Sequence, residues 1–130
     1  MSTHIPGLFI LKTDEKGRGV YTSIPIGVKD TIESAPVVVL SESERKVIHD
    51  TRLHDYYFLW GQAQNGAAIA LGYGSLYNHS STPNADFILD YDHDTIDFVA
   101  IKPIEAGDEI TINYSSEKME AFPLWFEPKN

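Results

Sequence analysis

Cysteine is absent from this 130-residue chain, which excludes disulfides, thiolate-ligated zinc and a thiol nucleophile. Long apolar runs are missing too, and none approaches the roughly 20 residues that cross a bilayer. The start, Met1-Ser2-Thr3-His4-Ile5-Pro6, has no basic stretch followed by an apolar one, so no secretion signal is read there. The missing span and signal predict a cytoplasmic protein without membrane contact, while cysteine usage leaves the redox compartment open. Basic residues are scarce: 10 Lys and Arg stand against 19 Asp and Glu, a formal net charge of −9. Direct binding of nucleic acid needs a basic face that displaces counterions, so it is not expected. The same charge either draws in a basic partner through its long-range field or simply keeps the protein in solution. Repeats and low-complexity linkers are also lacking, and the chain reads as one domain, residues 1–130.

What is present is mostly strand-like. Leu8–Leu11, Gly19–Thr22, Thr31–Glu33, Val37–Leu40, His54–Trp60 and Ala67–Ala70 read as short strands, with Pro36 suiting a strand start. Ala85–Tyr91 and Ile96–Ile101 form a hairpin around Asp92-His93-Asp94-Thr95, and Glu109–Tyr114 alternates as a last strand. Ser41 and Glu44 have capping-box spacing, which predicts a helix from about Glu42 to Asp50. Tyr73–Tyr77 suits a short helical turn. The class is mainly β, with small sheets and one or two short helices. Two large aromatics near the end, Trp125 and Phe126, predict a tail that docks.

One stretch stands out. Asn78-His79-Ser80-Ser81-Thr82-Pro83-Asn84 crowds two Asn, one His and three hydroxyls into seven residues between apolar runs. These side chains compete with the backbone for hydrogen bonds, and Pro83 removes a donor, so a helix interior or central strand is excluded. Composition leaves two readings. It is an Asx/Pro turn between strands, or a polar loop beside the core whose groups meet a ligand.

Several familiar patterns fail on inspection. Gly17-Arg18-Gly19 lacks the third glycine of a dinucleotide fingerprint, since Thr22 stands there, although it remains a tight turn with usable N–H groups. Asp90-Tyr91-Asp92-His93-Asp94 begins like a calcium loop, but Thr95 and Ile101 occupy its sixth and twelfth positions. Ser75 follows Gly74, yet Tyr77 replaces the second glycine of a nucleophile elbow. His4, His49, His54, His79 and His93 have no ligand spacing, so no metal site is expected.

Three signals nevertheless occur in one order: Gly17-Arg18-Gly19-Val20, then Asn78-His79-Ser80-x-x-Pro83-Asn84, then Gly107-Asp108-Glu109-Ile110-Thr111-x-x-Tyr114. Over about Leu8 to Tyr114 this set resembles the SET-domain family of S-adenosylmethionine-dependent protein lysine methyltransferases. The resemblance implies a β-clip-like fold of small curved sheets, with a core over about 8–114. Its C-terminal strand would pass through an earlier loop as a pseudoknot, beside Asn78-His79. It implies that S-adenosylmethionine meets Lys16, Gly17, Arg18 and Gly19 by backbone, Asn78 by its amide, and His79 mainly by backbone. Tyr114 matches the family's catalytic tyrosine and would also border the cofactor. Tyr56 and Tyr77 are candidate channel tyrosines. Trp125 or Phe126, in the 115–130 tail, would cover the adenine or wall the lysine channel.

The implied partner is a lysine-containing protein or peptide, basic in character, met by a monomer or a homodimer. Ser81 stands where many relatives carry cysteine, and the cysteine-rich closing module is missing, so the tail or a partner has to close the site. The residue types suit methyl transfer, an in-line displacement without metal or covalent intermediate, from a sulfonium to a lysine amine deprotonated in a dry aromatic channel. The competing expectation is a non-catalytic SET-like module that binds peptide or cofactor without turnover.

Overall fold

A computed structural model describes residues 3–15 and 17–114. Ten strands, one α-helix and one 3-10 turn are found among them. In chain order they are β1 (Thr3–His4), β2 (Leu8–Thr13), β3 (Gly17–Thr22), β4 (Thr31–Leu40), α1 (Glu42–Ile48), the 3-10 turn (Arg52–Asp55), β5 (Tyr57–Trp60), β6 (Gly66–Ala70), β7 (Asn78–His79), β8 (Ala85–Asp90), β9 (Thr95–Ala100) and β10 (Glu109–Ile112). The mainly β class holds. One sheet has the order β5-β6-β4-β9-β8 with β1 added along β4, and the other has the order β2-β3-β10-β7.

The larger sheet follows from period-2 alternation. In β9, Ile96, Phe98 and Ala100 are buried while their neighbours are not. This face meets Phe87 of β8 and Phe58 of β5, whose rings lie 5.2 Å apart. Val20 of β3 and Ile110 and Ile112 of β10 join the same apolar cluster, so both sheets share one core.

Five expectations change in detail. Thr31–Glu33 and Val37–Leu40 are parts of one strand, with Pro36 inside it. Residues up to Pro36 pair with β9 and those from Val37 pair with β6. The missing N–H therefore falls at the switch between ladders, where it costs little. Glu44 N donates to Ser41 Oγ and Ser41 N to Glu44 Oε1, completing the capping box, but α1 stops at Ile48 rather than Asp50. Thr51 then caps a new turn through Leu53 N, which takes His54 and Asp55 out of the predicted strand. Residues 71–76 form successive i+3 turns, with Gly74 N on Leu71 O and Leu76 N on Tyr73 O, in place of a helical turn. The last strand ends at Ile112, before Tyr114.

β10 is gripped on two sides, as a pseudoknot requires. It runs antiparallel to β3 at Glu109–Tyr21 and Ile110–Val20, and parallel to β7 at Thr111–Asn78 and Ile112–His79. Asn84 completes the grip with its side chain. Its amide nitrogen donates to Glu109 O at 2.8 Å, and its amide oxygen accepts from Thr111 N at 2.9 Å. The last asparagine of the polar heptapeptide thus takes the place of a strand residue.

Candidate active site

The chain leaves β10 beside β7, and this fixes Tyr114. Its N–H donates to His79 Nδ1 at 3.0 Å, its ring lies 5.0 Å from the imidazole, and its hydroxyl donates to the Tyr77 carbonyl at 2.9 Å. A backbone N–H can only donate, so Nδ1 accepts and the neutral imidazole carries its proton on Nε2. Burial holds His79 below its ordinary pKa. Burial, and next the Asp55 carboxylate, push Tyr114 up to about 12. At neutral pH Tyr114 is therefore an oriented, protonated phenol.

β3 and β10 pair at two positions and then part. Asn78 fills the fork: its amide nitrogen donates to Arg18 O at 3.1 Å and to Glu109 Oε2 at 2.7 Å. Gly19 lies directly beneath. A Cβ there would collide with the Glu109 carboxylate and sit 2.9 Å from the Asn78 amide nitrogen. A side chain at this position would therefore displace the Glu109–Asn78 pair from its present place.

Where the strands part, a cavity of about 90 Å³ opens. Gly17 and Arg18 of β3, Asp55 and Tyr56 at the end of the 3-10 turn, Asn78 and Tyr114 border it, with residues 75–77 closing one side. The residues on its border include two tyrosines, an arginine and an aspartate, types that suit a cation beside aromatic rings.

The structure thus brings together Gly17, Arg18, Asn78, Tyr56 and Tyr114, with Gly19 underneath. His79 stands beside Tyr114 and accepts its N–H through the ring nitrogen. Tyr77 touches the cavity, but its phenol lies in the core: the residue is 2% exposed, packs on Phe98 at 4.5 Å and donates to Glu33 Oε1 at 2.7 Å. Its carbonyl, rather than its ring, serves the site. Lys16, Trp125 and Phe126, and with them the docking of the 115–130 tail, lie outside the described residues. Asp55, Glu109 and Asn84 were not singled out in the sequence. Asn84 and Glu109 stood inside the two quoted motifs, and Asp55 stood next to Tyr56.

The family model described as SET domain matches residues 17–115. The chain belongs to the SET-domain family of protein lysine methyltransferases. It is 33% identical over 121 residues to a Schizosaccharomyces pombe protein named histone-lysine N-methyltransferase, H3 lysine-37 specific, covering 92% of this chain and 77% of that one. A Dictyostelium discoideum SET and MYND domain-containing protein is 33% identical over 76 residues, or 58% of this chain and 19% of its own length. Among solved structures, a Plasmodium falciparum protein described as a candidate histone methyltransferase superposes with a TM-score of 0.66 at 30% identity. That match covers 85% of this chain and 98% of the other. SET methyltransferases generally take the methyl group from S-adenosylmethionine. In this SET domain no described helix is long and apolar enough to cross a membrane.

Proposed function

We propose that this SET domain methylates a lysine of a basic, histone-like protein, and that the fork between β3 and β10 holds S-adenosylmethionine. The observation that carries the proposal is the meeting of Gly17, Arg18, Asn78, Tyr56 and Tyr114 around one cavity. The residues fit the cofactor's charges. Asp55 and Glu109 suit its cationic groups, Arg18 suits its carboxylate, and bare Gly19 lets the backbone approach closely. When bound, S-adenosylmethionine supplies an electrophilic methyl group on a positively charged sulfur.

The protein's own part is to orient and to desolvate. An incoming lysine is protonated in water, with a pKa near ~10.4. Asp55 at the rim attracts that cation, and the Tyr56 and Tyr114 rings beyond it disfavour the charged form. Tyr114 keeps its proton at a pKa of about 12 and spends it on Tyr77 O. It is therefore an orienting group rather than a base. Its oxygen lone pairs remain available to the amine and to weak C–H···O contacts with the methyl group. The name of the fission yeast relative supports histone H3 as the first substrate to try.

The experiment is methyl incorporation from labelled cofactor into recombinant histones, H3 peptides and a cell lysate, read by mass spectrometry. Intact protein should label lysine, and Tyr114→Phe should lower turnover by roughly 10²-fold, the cost of losing orientation at a reacting centre. No label from the intact protein, with Tyr114→Phe indistinguishable from it, would overturn the proposal.

A further inference from the structure

We infer that Glu33 is a positioning residue of the methyl-transfer site: acting through Tyr77, this buried carboxylate fixes where the Tyr114 hydroxyl lies. The inference rests on the lysine methyltransferase reading and names a residue that the reading did not need.

Glu33 is the third residue of β4 and is 0% exposed. A carboxylate there loses its hydration and is retained only with good partners. The strand is shaped to put it there. The register between β4 and β9 shifts between Thr31 and Glu33, and Ile32 and Glu33 are consecutively buried, against the alternation of an ordinary strand. Bulges of this kind re-aim a side chain, often beside active sites. The chain thus gives up regular pairing and solvation to point one carboxylate inward.

Its two oxygens hold both ends of one turn. Oε2 accepts from Tyr73 N at 2.9 Å and Oε1 from Tyr77 O–H at 2.7 Å. Between these points the turn has little freedom. A Cβ on Gly74 would sit 3.1 Å from Ala35 Cβ and still closer to Ala70 Cβ, and Ser75 Oγ donates to Ala70 O at 3.0 Å. Residue 77 therefore enters β7 in one pose. Its carbonyl then receives the Tyr114 hydroxyl at 2.9 Å. Glu33 to the Tyr77 phenol, along Tyr77 to its carbonyl, and on to the Tyr114 phenol is one connected path, in which Glu33 itself does not border the cavity. Burial raises the Glu33 pKa, and its two hydrogen bonds, with the His4 charge beyond Tyr73, pull it back. Both carboxylate oxygens are thus partnered by groups of the turn.

The test is a double-mutant cycle with steady-state kinetics on the full chain. Glu33→Gln keeps the shape and an acceptor for Tyr73 N, but can no longer accept the Tyr77 proton with a charged oxygen. Its kcat should fall at least about tenfold, as expected for a displaced orienting group. KM for an H3 peptide and cofactor affinity by calorimetry should stay within about threefold, the sign of lost transition-state rather than uniform binding. In a Tyr114→Phe background the same change should cost less than about twofold, because the group it positions is gone. Tyr77→Phe removes one hydroxyl and carries the same expectations should the glutamine variant fail to fold. In both variants the Tyr114 ring signals of tyrosine-labelled protein should shift.

Full kcat in Glu33→Gln, equal losses with and without the Tyr114 hydroxyl, or unmoved Tyr114 signals would each overturn the inference. Wild-type protein assayed alongside separates the two levels. An active wild type with an indifferent Glu33 removes this inference alone, whereas an inactive wild type removes the methyltransferase reading and this inference with it.

Discussion

The two sheets solve the pairing of their strands differently. In the six-stranded sheet, β8 and β9 pair residue for residue from Ala85–Ala100 to Asp90–Thr95, and the side chains are left to alternate into the core. In the four-stranded sheet, β10 has two paired positions with β3 and two with β7. Side chains supply what is missing: Asn84 takes two main-chain bonds, Asn78 bridges Arg18 and Glu109, and His79 accepts Tyr114 N. A continuous ladder stabilises, but it leaves no opening. Replacing ladder bonds with side-chain amides and an imidazole lets strands part without orphaning polar groups, and the cavity lies where they part. In this molecule the first sheet supplies most of the shared apolar core, while the second carries Asn78 and leads into Tyr114, with Glu33 of β4 reaching the site only through Tyr77.

The strongest way to break that division is to damage the first sheet and watch the chemistry. Phe87 is 1% exposed, and its ring packs on Phe58. Phe87→Ala should cost about 3–5 kcal/mol in urea or thermal unfolding, the range for a buried phenylalanine truncated to a cavity. Turnover per folded molecule, measured well below the unfolding midpoint, should stay near that of the wild type. A proportional fall in kcat would mean that the sheets are not separable in this way.

The reverse experiment damages the second sheet. Asn84→Ala leaves Glu109 O and Thr111 N without their partner, at a cost of about 1–3 kcal/mol. That is less than the phenylalanine loses, yet kcat should fall strongly, because β10 carries Tyr114 to its place. Asn84→Asp keeps an acceptor for Thr111 N but turns a second acceptor toward Glu109 O, so it should not rescue. A stability loss with full kcat would show that Asn84 holds the strand without steering the phenol.

The same division decides how much the sequence disclosed. The β8–β9 hairpin, the capping box at Ser41 and the buried face of β9 follow rules of local periodicity, and they are found within a residue or two of where those rules put them. The site was legible in part: Asn78 and His79 stand out in a polar stretch between apolar runs, and Tyr114 was marked by the family resemblance. Their tasks were not legible. Nothing local tells an asparagine that replaces a strand from one that meets a ligand, and the partners of Asn84 lie 25 and 27 residues away. Tyr77 illustrates the limit. Its place beside the heptapeptide suggested a channel wall, but a carboxylate 44 residues earlier takes its hydroxyl into the core. Glu33 itself looked like an ordinary polar residue of an alternating strand, because a register shift leaves no mark in composition.

A finer probe of the second sheet is acid, which acts on one of these replacement bonds. His79 Nδ1 must be unprotonated to accept Tyr114 N–H. Burial lowers the folded pKa below the ordinary histidine value of 6.5. A folded pKa below the unfolded one means that the unfolded chain binds the proton more readily. The contribution of this group is therefore full above about pH 6.5 and is lost as pH falls below it. Protonation would place two N–H groups face to face and push Tyr114 from the Tyr77 carbonyl. Deprotonation of the substrate lysine already gives log(kcat/KM) a slope of about one with pH. Through the His79 midpoint the slope should steepen toward about two, while far-UV circular dichroism stays unchanged. The His79 imidazole signal, followed by NMR, should titrate at that same midpoint, below 6.5. A slope that stays at one while His79 titrates would mean that the imidazole holds the backbone of Tyr114 without governing where its hydroxyl points.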